Sequence, residues 1–152
     1  MQREGLITVE SNRRRYFRLG LPVPLTGMLQ LVEVNGQMVT LKPTKILIFD
    51  ISSGGVRLHT RIDFPTTMNM IVRVTFTLLG DQIQLIGELK RKKVIREHLF
   101  EYGISFITDH AEQQMLNGHI NTLAVRLRKT LTNHIKSCSF STEEEIKEMY
   151  SY

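Results

Sequence analysis

From Val23 to about Phe106, apolar and polar residues alternate with a period close to two, as half-buried strands require. "GMLQLVEVNG" alternates imperfectly and stops at Asn35-Gly36, the strongest short hairpin signal. "MVTLKPTKILIFD" resumes as a strand in which Pro43 marks a bulge or edge interruption. "GVRLHT" follows, then "NMIVRVTFTLLG", which carries Met70, Val72, Val74, Phe76 and Leu78 on one face. A tight turn at Gly80-Asp81 leads into "QIQLIGELKRKKVI", and "HLFEYGISFI" closes the series. Short strands this closely spaced predict a small antiparallel barrel or sandwich. The period then changes. From Asp109 onward, Leu116, Ile120, Leu123, Leu127, Leu131 and Ile135 recur at three and four, one stripe of a long helix. Asp109 is its expected N-cap, with Glu112 completing a capping box. Gly118 weakens that helix by about 1 kcal/mol relative to alanine, which fits a kink or a close contact there. A second short helix is expected to start at Ser141 or Thr142, its acids at the favourable N-terminal end.

These patterns divide the chain into a basic lead-in (1–20), a β unit (21–108) and a helical segment (109–152). With 152 residues, 41% of them apolar, the chain has material for one real core. The net charge of +5 favours an anionic partner without naming it. Cys138 is the one cysteine, so no internal disulfide forms, and a reducing, cytoplasmic setting is expected. No apolar run is long enough to span a bilayer, and no membrane insertion is expected. The N-terminus lacks a secretory signal; it also reads as the end of a linker from a preceding domain.

Two stretches carry candidate chemistry. In "NRRRYFRLG", four arginines fall in six positions around Tyr16 and Phe17. Guanidinium groups grip phosphate bidentately and stack on aromatic or base faces, though a generic charge run is more often a solvated linker. In "DISSGG", Asp50 can accept from base-edge N–H groups. Ser52 offers a hydroxyl, and Gly54 and Gly55 permit close backbone approach or positive φ. Alone this hexapeptide also reads as an ordinary loop. Lys90, Arg91, Lys92, Lys93 and Arg96 read as a solvated strand edge that discourages aggregation. His134 and Cys138 share a helix face, but without a second pair no metal is expected. The remaining histidines are scattered, and no catalytic triad, phosphate loop or paired carboxylate stands out, so no enzyme is expected.

Taken together, Arg14-x-x-x-Arg18 and Asp50-x-Ser52-x-x-Gly55 resemble the split signature of PilZ domains, small β-barrels that bind the bacterial second messenger cyclic di-GMP. "RRRYFRL" and the "YGISF" of Tyr102–Phe106 also resemble the family's lead-in and last barrel strand, and the resemblance covers roughly residues 12–135. It implies a mostly β fold, a six-stranded antiparallel β-barrel followed by a long C-terminal α-helix. It implies that Arg14 and Arg18 grip guanine and phosphate, that Asp50 and Ser52 hydrogen-bond the ligand, and that Gly55 keeps the loop shape. Arg13, directly before the motif, implies a stacked pair of ligands, two per chain. "GELKRKK" departs from relatives that carry a guanine-stacking aromatic there; Arg91 either stacks in its place or is solvated, and it is not counted among the site residues. The resemblance further implies an effector whose arginine segment is mobile until ligand orders it, relaying to a protein partner such as a flagellar-motor or polysaccharide-synthase component, with a tilt towards motility. The C-terminal half of the helix, with Arg126, Arg128 and Lys129 beside leucines, is a candidate for self-association or partner docking. Two alternatives stand: a small basic barrel binding single-stranded nucleic acid, and a ligand-blind PilZ-like adaptor.

Overall fold

The structure is a computed structural model, and it describes residues 17–131 and 135–151. Its strands are β1 (Leu19–Val34), β2 (Gln37–Met38), β3 (Thr44–Ser52), β4 (Gly55–Thr60), β5 (Met70–Leu78), β6 (Asp81–Arg96) and β7 (Leu99–Phe106). All pairings are antiparallel. Six strands close a ring in the order β1-β3-β4-β7-β6-β5 and back to β1, and β2 is a two-residue flap on β1. The ring decides between the two architectures that alternation alone left open. Closure also removes the free edges that a flat sheet of this length would expose.

The turns explain the register. Asn35 and Gly36 have φ of 49° and 83°, the left-handed pair that a two-residue hairpin needs. Leu79 and Gly80 repeat this at 52° and 86°, and Leu78 pairs with Asp81. The second turn therefore sits one residue earlier than Gly80-Asp81, with a leucine held in a conformation that favours glycine. The strand pairing stops well before Pro43: residues 39–43 form no strand, and β3 starts just after the proline. In β1 the pairing with β3 slips between Gly20 and Leu25, where Pro22 and Pro24 have no N–H to donate.

Inside the ring, Leu25, Leu29, Ile46, Ile48, Ile51, Leu58, Val72 and Val74 are fully buried. Each such side chain contributes roughly 1.5–3 kcal/mol by leaving water. Tyr102 is buried with them. Its hydroxyl accepts from the Phe64 N–H at 2.7 Å and donates to the Ile62 carbonyl at 2.9 Å, pinning the β4–β5 loop.

Helix α1 (His110–Lys129) carries the expected capping box, with Asp109 and Glu112 exchanging backbone hydrogen bonds. Leu116, Ile120 and Leu123 enter the core. The stripe does not continue as helix to Ile135. Thr130 is already extended and Leu131 is 69% exposed, while Ile135 reaches the core from beyond the helix. Continuing the helix would forfeit bonds made further on. Ser139 accepts from the Thr26 N–H at 2.8 Å and donates its own N–H to the Thr77 carbonyl at 3.1 Å, wedging the chain between β1 and β5. Helix α2 (Glu143–Tyr150) starts after Thr142, which caps it reciprocally with Glu145. Among the described residues, no helix is long and apolar enough to cross a membrane. No cluster of three or more metal-ligating side chains is found among them either. His134 lies outside the described residues.

Gly118 has no close contact to justify it, since a Cβ there meets nothing within 4 Å. Gly118→Ala is therefore expected to stabilise the fold by about 1 kcal/mol, read as a higher urea midpoint. His119 links α1 to the β5–β6 turn. One ring nitrogen lies 2.8 Å from the Met115 carbonyl and the other 2.7 Å from the Asp81 carboxylate. Both are acceptors, so the site favours imidazolium. The Met115 carbonyl, and then Asp81, hold the His119 pKa above its ordinary 6.5 against the opposing effect of burial. This stabilisation is complete below the unfolded pKa and is lost as pH rises through the folded one. His119→Gln should therefore cost more stability at about pH 5.5 than at about pH 8, by under about 1 kcal/mol because Asp81 is largely exposed. Equal costs at both pH values would refute the assignment.

Candidate functional site

Strand pairing brings the two distant motifs together. Leu19 pairs with Ile51 and Gly20 with Asp50, so Arg18 emerges beside the tip of the β3–β4 hairpin. That hairpin is tight: Ser52 pairs with Gly55 across Ser53-Gly54. The Ser52 hydroxyl accepts from the Gly54 N–H at 3.1 Å and so holds the bend. Neither Gly54 nor Gly55 has positive φ. What Gly55 supplies is close approach, because a Cβ there would lie 2.1 Å from the Ile104 carbonyl oxygen on β7.

A cleft of about 490 Å³ opens over the outer face of β3, β4, β7 and β6. Its lining includes Arg18, Asp50, Ser52, Gly55, Arg57 and Arg91. Cross-strand register makes it one row: Asp50 faces Arg57, Arg57 faces Gly103, and Gly103 faces Arg91. Gly103 keeps the middle of the row bare, and the Arg91 stem lies over it, with its Cβ 3.6 Å from where a Gly103 Cβ would stand. Six cations line the cleft (Arg18, Arg57, Lys90, Arg91, Lys92 and Lys93) against two carboxylates, Asp50 and Glu101. Low-dielectric walls lined by one sign of charge concentrate counter-ions, so this is a site for an anion.

The cations are not equivalent. Arg57 donates Nε–H to Asp50 at 2.7 Å and an Nη1–H to Glu101 at 2.9 Å. Although burial opposes it, these carboxylates raise the pKa of Arg57 further. Burial would likewise push Glu101 up, but hydrogen bonds from His59 and Arg57 hold it below the ordinary carboxylate value. Lys92 is turned away to Asp63 and the Phe64 carbonyl, and Lys90 pairs with Glu88 at 3.1 Å. Arg18, Arg91 and Lys93 are exposed and make no ion pair among the described residues, so their donors face the cleft uncommitted.

Of the sequence-derived site residues, Arg18, Asp50, Ser52 and Gly55 converge on this cleft; Arg13 and Arg14 lie outside the described residues. The basic run from Lys90 to Lys93 is not merely a solvated edge, because its ladder with β7 brings it against the cleft. Arg57 and Glu101 were missed. Arg57 was within reach of the alternation, two residues beyond Gly55 on the same outward face, whereas Glu101 needed the β4–β7 register.

Solved structures of similar fold include the Bacillus subtilis inhibitor of motility MotI/DgrA, at 18% identity and a TM-score of 0.55, covering 77% of this chain and 53% of that one. YcgR from Escherichia coli in complex with c-di-GMP matches at 19% and 0.57, covering 77% and 48%. The K. pneumonia MrkH–c-di-GMP complex matches at 20% and 0.52, covering 77% and 55%. The chain thus spans about half the length of these proteins, and at such identities the likeness concerns the fold. Among curated proteins, no relative matches by sequence. Residues 12–123, most of the chain and both halves of the split motif, match the PilZ domain, and the protein belongs to that family of non-enzymatic cyclic di-GMP effectors.

Proposed function

We propose that this cleft binds cyclic di-GMP and that binding is relayed to a protein partner. The observation that carries the reading is the β1–β3 pairing, which sets Arg18 beside the Asp50–Gly55 hairpin at the rim of a six-cation cleft. The ligand offers two phosphodiester charges and two guanines. Guanine O6 and N7 are the acceptors that arginine pairs with best, and N1–H and N2–H suit a carboxylate. Arg14 and Arg18 grip guanine and phosphate, Asp50 and Ser52 hydrogen-bond the ligand, and Gly55 lets the hairpin lie flat against β7. Arg13 supplies the grip for a second, stacked molecule. Engaging the arginines re-aims whatever precedes Arg13, and that is the proposed switch.

No aromatic lines the cleft among the described residues, which argues against a single-stranded nucleic acid held by base stacking. Planar guanidinium groups of Arg18 and Arg91 take the stacking role on guanine instead. The partner is proposed to be a flagellar-motor or polysaccharide-synthase component in the cytoplasm. Motility is favoured by the likeness to a structure described as an inhibitor of motility.

Titration calorimetry with cyclic di-GMP tests the reading. Saturable binding near two molecules per chain is expected. One molecule per chain would remove only the role of Arg13. Absence of heat and of any mobility shift at high protein concentration would leave the ligand-blind adaptor.

A further inference from the structure

Arg57 stands at one end of a chain of hydrogen bonds that leaves the cleft. Its Nη1–H reaches Glu101 Oε1, and His59 Nε2 lies 2.9 Å from that same oxygen. His59 Nδ1 lies 2.7 Å from the Tyr150 hydroxyl on the last turn of α2. Donor and acceptor roles follow from chemistry. The Glu101 carboxylate only accepts, so His59 Nε2 carries the proton; burial lowers the His59 pKa and favours the neutral ring, whose Nδ1 accepts from the Tyr150 O–H. Each group is held by the next, from the rim of the cleft to the C-terminal helix.

The far end is easily perturbed. An eight-residue helix is too short to persist without docking. Helix α2 docks through a small apolar cluster, Leu47, Leu99 and Met149, flanked by Phe49, Ile146 and Tyr150, separate from the barrel core. The near end is incomplete. The two donors on Arg57 Nε and Nη1 are used, while Nη2 has no partner among the described residues, and the guanidinium lines the cleft. An acceptor on a bound nucleotide can therefore take Nη2–H without breaking either existing bond.

We infer that Arg57 contacts the ligand and that Tyr150 is its positioning residue, so that docking of α2 and occupancy of the cleft reinforce each other. The inference rests on the reading of the cleft as a cyclic di-GMP site. With α2 docked, His59 and Glu101 are fixed and Arg57 is held ready. A ligand that orders Arg57 must, by linkage, strengthen α2 docking by the same factor. Helix α2 then becomes the surface through which occupancy is read.

Two measurements decide it. In ligand-free protein, Arg57→Gln should speed amide hydrogen exchange in α2 roughly two- to tenfold, the range for one hydrogen bond, with β5 amides unchanged. Unchanged exchange in α2, or an equal rise everywhere, would overturn the coupling, whether or not the nucleotide binds. With cyclic di-GMP, Tyr150→Phe, which keeps the ring packing, should weaken binding by a similar factor. It should cause no further loss in an Arg57→Gln background. An equal loss in both backgrounds would show a merely structural tyrosine. Failure of the wild-type protein to bind would sink the ligand assignment and with it the Arg57 contact, while the exchange experiment alone would judge the relay.

Discussion

Arg18→Ala is expected to weaken cyclic di-GMP binding by about 100-fold or more, enough to flatten a calorimetric titration. Arg18 leaves β1 one residue before the pair Leu19–Ile51, so its guanidinium is delivered to the cleft by backbone register rather than by chance contact. It is exposed and forms no ion pair in the described structure, so removing it breaks nothing within the fold. Charge-assisted hydrogen bonds are worth roughly 1.5–3 kcal/mol each, and a bidentate fork makes two of them. The melting temperature should stay within about 2 °C of the parent, since surface substitutions of this kind change stability by under about 0.5 kcal/mol. Arg18→Lys keeps the charge and loses the fork, and should recover only part of the affinity. Arg14→Ala is expected to abolish binding in the same way. Wild-type affinity in Arg18→Ala would mean that the cleft does not hold the nucleotide as proposed.

Gly55→Ala is expected to cost stability and binding together. Its Cβ would meet the Ile104 carbonyl oxygen at 2.1 Å and the carbonyl carbon at 3.2 Å. Ile104 cannot step aside easily, because β7 is laddered to β4 through Val56 and to β6 through Leu89 at that residue. Overpacking of this kind costs typically about 1–3 kcal/mol, and a backbone obstacle places Gly55 at the upper end. The strands must part where the hairpin forms the cleft wall, so affinity should fall with the urea midpoint. Gly20→Ala is the matched control: a Cβ there meets nothing within 4 Å, and its midpoint should shift by less than about 0.5 kcal/mol. If both alanines behave alike, the glycine of the hairpin is not required by close approach.

Much of this is legible in the sequence. Period-two alternation announced the strands, Asn35-Gly36 announced a hairpin, and Asp109 with Glu112 announced the first helix by local capping chemistry; of the two expected starts for the second helix, Ser141 or Thr142, it is Thr142 that caps. The spacing of arginines and of the aspartate-serine-glycine bend pointed to the family that the chain matches. Those features depend on residues a few positions apart, and short-range sterics and hydrogen bonding settle them. Where local and distant demands conflicted, the sequence misled. The apolar stripe through Leu131 and Ile135 looked like continued helix, yet backbone bonds from Ser139 to Thr26 and Thr77 took the chain elsewhere.

By itself, then, the order of residues determined which segments are strand or helix, where most turns fall, and which two motifs mark the family. Only the closed ring decided that Arg57 and Glu101 join the site, that Arg91 lies over Gly103, and that the cleft is tied through His59 to Tyr150. The reason is cross-strand register. A one-residue slip in any ladder turns each side chain to the opposite face, and register follows from how the whole core packs, not from the strand's own letters.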